Sequence, residues 1–106
     1  MAVSSVPTLR SNNEDSDLHV QATLAVIRTY LHERFEGFEM TERSEGYMGH
    51  WFALGELGQR YKLAVASARL SDREYTAAKM RQALIHDRVA VRMTDTPGKD
   101  FFWGWG

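Results

Sequence analysis

Cysteine is missing from this 106-residue chain, which excludes disulfides, thiolate metal sites and a cysteine nucleophile. That fits a reducing compartment. Long apolar runs are missing as well: none approaches the roughly 20 residues that span a bilayer. The opening, MAVSSVPTLRSNNEDS, lacks a basic stretch followed by an apolar one and does not read as a signal peptide. A cytoplasmic protein with no membrane association is expected.

Catalytic signatures are also absent. There is no G-x-S-x-G elbow, no phosphate-cradling glycine loop and no H-E-x-x-H zinc pattern. The order of elements developed below also occurs in metal-dependent nuclease cores. Those need an acid and an E-x-K-type cluster on the middle strands, and RYKLAVASA carries no such acid. His32 and Glu36 are helical neighbours, but no third ligand stands out, and a solvated i,i+4 pair is the simpler reading. His50 reads as a structural histidine, while His19 and His86 read as exposed. Glu39, Glu42, Glu45 and Glu56 spread over two strands and a loop, where they are expected to line a polar edge rather than form a general acid–base pair. The expectation is a non-enzymatic protein without catalytic residues, cofactor or metal.

What the chain does have is an ordinary globular composition, 43% hydrophobic and 25% charged, so wholesale disorder is not expected. Its length suits one domain that buries about two-thirds of its unfolded surface. Charge is unevenly placed. Residues 1–56 carry four arginines against nine carboxylates, and residues 57–106 carry nine cations against five carboxylates. Such asymmetry can serve self-association or a charged partner.

Residues 1–15 are polar and aperiodic and read as a flexible tail, leaving 16–106 as a single α+β domain. Ser16 suits a helix N-cap. Beyond it, Val20, Leu24, Ile27, Leu31 and Phe35 form one apolar stripe, and Gly37 suits the stop. Phe38 and Met40 alternate with Glu39 and Thr41, predicting a strand over 38–43. SEGYMG is a loop. HWFALGELGQRYKLAVASA predicts a hairpin around Leu57-Gly58, with Leu54 opposite Tyr61, Phe52 opposite Leu63 and His50 opposite Val65. Its other face receives Trp51, Ala53, Lys62, Ala64 and Ala66.

Ser71-Asp72-Arg73-Glu74 has capping-box spacing and predicts the start of a second helix. On it Ala77, Ala78, Met80, Leu84 and Ile85 share an apolar arc that also contains Arg81, expected at the flank with its stem packed. RVAVRMT alternates and predicts a strand, and Pro97-Gly98 predicts a turn into a final strand, FFWGWG. The fold expected is α+β: a two-layer sandwich with a mostly antiparallel four- to five-stranded sheet and two helices on one face, in the order α-β-β-β-α-β-β.

In that arrangement the last hairpin sends Phe102 to the core and Trp103 and Trp105 to the bare sheet face, beside Arg88 and Arg92. Trp51 and Lys62 join them from the first hairpin. These six positions, Trp51, Lys62, Arg88, Arg92, Trp103 and Trp105, are the candidate partner-binding residues, since tryptophan and arginine favour interface centres. A homodimer or a protein partner is expected, and regulators, assembly subunits and small phage-type inhibitors all fit. Alternatively, Arg60, Lys62, Arg88 and Arg92 would make a basic face for nucleic acid, with Trp103 and Trp105 stacking on bases.

Over residues 17–86 the helix–three-strand–helix order, with GYMGHWF and SDREYTAAKMRQAL, distantly resembles double-stranded-RNA-binding domains. That resemblance implies phosphate contacts at the start of the second helix, the position that Ser71-Asp72-Arg73-Glu74 occupies here.

Overall fold

A computed structural model describes residues 6–56 and 60–105, with side chains from Leu18 onward. The elements are α1 (Val6–Arg34), β1 (Met40–Ser44), β2 (Gly49–Leu54), β3 (Tyr61–Ala66), α2 (Ser67–Ser71), α3 (Ala77–His86), α4 (Val89–Asp95) and β4 (Asp100–Trp103).

The apolar stripe of α1 supplies one side of the core. Leu24, Ile27, Leu31 and the following Phe35 are buried, and Val20 packs at their margin. Burial of each large aliphatic side chain stabilises the fold by about 1.5–3 kcal/mol. Tyr30 and Thr23 are buried beside them, and the Thr23 hydroxyl donates to the His19 carbonyl at 2.8 Å. The helical backbone begins at Val6, well before the predicted Ser16 cap. Pro7 falls in the first turn, where its missing N–H forfeits no intrahelical bond. Residues 1–5 lie outside the described residues. After Arg34, Gly37 turns the chain with φ 86°, a conformation that glycine adopts without a Cβ clash.

Alternation then builds a three-stranded antiparallel meander. β2 and β3 pair in the predicted register, His50 opposite Val65, Phe52 opposite Leu63 and Leu54 opposite Tyr61. The Leu57-Gly58 turn lies outside the described residues. β1 starts two residues later than predicted and pairs Met40 with Leu54, Glu42 with Phe52 and Ser44 with His50. Phe52, Leu54, Leu63 and Val65 are fully buried against the helices.

Two expectations are corrected beyond β3. Ser71 does not open a helix: it closes α2, its hydroxyl donating to the Ser67 carbonyl. α3 is capped by Thr76 instead, whose hydroxyl accepts from the Lys79 N–H. RVAVRMT is not a strand but α4. There Val89, Ala90 and Met93, at helical spacing, turn into the core, and Val91 stays 45% exposed.

The chain therefore has no second hairpin. The Pro97-Gly98 turn leads out of α4, and β4 joins the sheet parallel to β3, with Leu63 opposite Phe101 and Val65 opposite Trp103. The result is an α+β fold with one mixed four-stranded sheet in the order β1-β2-β3-β4. α1 packs on α2 and α3, α2 lies against β2 and β3, and α4 lies against β3 and β4. Arg81 reaches across from α3 to Glu33 of α1 at 2.9 Å. No helix among the described residues is long and apolar enough to cross a membrane.

Candidate interaction surface

Residues that alternate with the core positions form the opposite face of the sheet. Strand register sets them in rows: Thr41, Ala53, Lys62 and Asp100 in one, and Arg43, Trp51, Ala64 and Phe102 in the next. Small side chains dominate the middle strands here, which leaves a floor on which large rings can lie.

Three rings occupy it. Trp105 folds back over β3, and its indole N–H donates to the Ala64 carbonyl at 2.8 Å. Its ring lies 5.7 Å from that of Trp51 and meets Phe102 edge-on at 5.6 Å. Gly49 makes room for it, because a Cβ at that position would stand 3.0 Å from Cζ2 of Trp105. The Arg43 guanidinium lies 5.2 Å from the Trp51 ring centroid, within cation–π range. Phe102 remains 55% exposed, unusual for a phenylalanine. Beside the rings is a shallow basin of about 290 Å³ lined by Thr41, Arg43, Trp51, Ala53, Lys62 and Asp100.

Of the six predicted positions, this face brings together Trp51, Lys62 and Trp105. It does not hold Trp103, which is 4% exposed in the core on the helix side. The correction follows from the parallel pairing, which sets Trp103 beside Val65 instead of beside Arg92. Trp103 donates to Asp87, and the Arg69 guanidinium lies over its ring at 4.5 Å. Arg88 and Arg92 are displaced for the same reason that α4 is a helix. Arg88 forms the α3–α4 junction, and Arg92 projects from α4 with its Nε donating to the Asp87 carbonyl.

Sequence reasoning missed Phe102 and Arg43. The doublet Phe101-Phe102 did hold the signal, since neighbours in a strand point to opposite faces. Only a misplaced partner strand reversed the assignment.

Glu42 lies on the edge strand β1, as the polar-edge reading expects, and there it is ion-paired toward the helix side. Its carboxylate accepts from Arg28 Nε at 2.6 Å, and its Oε1 lies 2.8 Å from His50 Nε2. Burial works to raise its pKa, but the hydrogen bonds from Arg28 and His50 outweigh that and hold it below the usual carboxylate range. The same bond raises the pKa of Arg28. These groups tie β1 and β2 to α1 and spend their polar capacity on one another. Among the described residues no cluster of three or more histidine or carboxylate side chains is placed to hold a metal ion.

Comparison of the chain with protein-family models, with curated proteins and with solved structures gave no match. The likeness to double-stranded-RNA-binding domains thus remains one of element order, and Ser71-Asp72-Arg73-Glu74 lies at the α2–α3 connection instead of at a helix start.

Proposed function

We propose that the chain is a non-enzymatic interaction module that associates through the sheet face opposite its helices, in its simplest form with a second copy of itself. The observation that carries this reading is the cluster of Trp51, Phe102 and Trp105 on that face, with Phe102 more than half exposed. Each large aromatic side chain brings about 150–250 Å² of surface. Three of them supply the apolar centre of an interface, and Arg43, Lys62, Thr41 and Asp100 supply a polar rim. Self-pairing is the commonest route by which such a face is buried. Regulators, assembly subunits and inhibitors use faces of this kind.

The test is mass determination in solution over a wide concentration range, for the wild type and for Phe102→Asp. A wild-type dimer that dissociates in a folded Phe102→Asp variant supports the reading. A wild type that stays monomeric at its highest soluble concentration removes self-association.

The nucleic-acid alternative loses two of its cations, because Arg88 and Arg92 sit in the helix layer. Arg43 over Trp51 and the nearby Lys62 still offer a stacking platform with charge. Retention of a single-stranded oligonucleotide that falls steeply with salt and disappears in Trp51→Ala would favour that reading over self-association.

A further inference from the structure

A second surface, on the helix layer, has features that the sheet face does not explain. Between the end of α1 and the α3–α4 corner runs a groove of about 440 Å³. Its floor is Tyr30, whose hydroxyl accepts from the Ala90 N–H at 3.0 Å and so joins the two walls. Ile85 and Val91 line it while remaining 46% and 45% exposed. Arg34 and Arg88 line it too, and neither guanidinium has a carboxylate partner among the described residues. Arg34 lies 5.4 Å from the centroid of the Tyr30 ring, which orients it without neutralising it.

Arg88 is also the one non-glycine residue with positive φ among those described, at φ 53° and ψ 47°. A glycine would reach this left-handed corner at lower cost, so the backbone gives no reason for an arginine there.

We propose that this groove docks an acidic amphipathic helix of a partner protein, its apolar side chains against Ile85 and Val91 and its carboxylates on Arg34 and Arg88. Charge complementarity selects the occupant. A small anion would satisfy the cations and leave the apolar walls wet, and a purely apolar ligand would leave two guanidiniums uncompensated. An amphipathic helix laid between two helices meets both needs. The site is separate from the sheet face and does not depend on its role.

The test is fluorescence anisotropy of the full chain with a fluorescein-labelled helical peptide of about 15 residues, carrying leucines at i and i+4 flanked by glutamates. The expected result is saturable binding that weakens about tenfold in Arg34→Gln and again in Arg88→Gly. Arg88→Gly should at the same time melt at or above the wild-type temperature, which separates lost binding from lost folding. The proposal is overturned if the wild type does not bind the peptide, or if the arginine variants bind it equally well. It is equally overturned if a version with lysine for glutamate binds as tightly, or if a leucine-free acidic peptide does.

Discussion

The indole N–H of Trp103 donates to Oδ2 of Asp87 at 2.8 Å, fastening the last strand to the corner between α3 and α4. The Arg69 guanidinium packs at the same joint, 4.5 Å from the Trp103 ring and 4.9 Å from that of Tyr75. Two adjacent aromatic residues of β4 thus have opposite tasks: Trp103 closes the core, and Phe102 faces outward.

That division is measurable. Trp103→Ala should destabilise the domain by about 3–5 kcal/mol, the usual cost of emptying a large buried aromatic site. Phe102→Ala should change the stability of the isolated monomer by less than about 1 kcal/mol. Urea denaturation of the two variants, at a concentration where association is absent, checks the contrast.

Gly49 is the counterpart of Trp105. A Cβ there would stand 2.5 Å from the Val65 carbonyl oxygen and 3.0 Å from the Trp105 ring. The first contact is with backbone and cannot be relieved by a rotamer change. Gly49→Ala should cost about 1–3 kcal/mol and lift Trp105 from its place. Loss of near-ultraviolet circular dichroism with far-ultraviolet signal retained would report this.

Acid should loosen the fold at two identified places. The Trp103 N–H, helped by His86 and the charge of Arg69, holds the Asp87 carboxyl below its ordinary pKa in spite of burial. Glu42 is likewise depressed. The folded pKa lies below the unfolded one in both cases, so between the two the unfolded chain binds more protons. Stability from these groups is therefore complete above the ordinary carboxylate range, about pH 4–5, and drains away as pH falls through the folded values. Glu42→Gln combined with Asp87→Asn should flatten the acid side of a stability–pH curve and leave its neutral part sloping as before. Urea midpoints across that range make the comparison.

Tyr30→Phe isolates one hydrogen bond. The change keeps the ring and removes the acceptor for the Ala90 N–H, in a buried setting. Leaving that donor unsatisfied should cost about 1–3 kcal/mol. Amide exchange at Ala90 should accelerate more than exchange in β2, which identifies the loss as local.

These residues also mark where sequence was readable. The β2–β3 register was legible because two strands carried independent alternations that agreed only in one alignment. The α1 stripe was legible because it persists over several turns. RVAVRMT failed on both counts. Seven residues hold too few periods to separate spacing of two from spacing of 3.6, and Val89 and Met93 satisfy both. Val89, Ala90 and Met93 are buried where α4 packs on β3 and β4, and the Ala90 N–H bonds to Tyr30, 60 residues away; no local pattern contains those contacts. The error spread to the candidate site: with α4 read as a strand, β4 acquired an antiparallel neighbour, and Trp103 and Phe102 exchanged faces. Trp51 and Lys62 were placed correctly because they belong to the hairpin whose register was secure.

The parallel seam between β3 and β4 has a kinetic consequence. Lys62 pairs with Asp100 across the whole stretch that holds α2, α3 and α4, whereas the meander joins near neighbours, and closing a long loop slows a pairing event. The final strand should therefore be laid down late. Phe102 and Trp105 come with it, so the three-ring cluster with Trp51 should be complete only once that closing step is done.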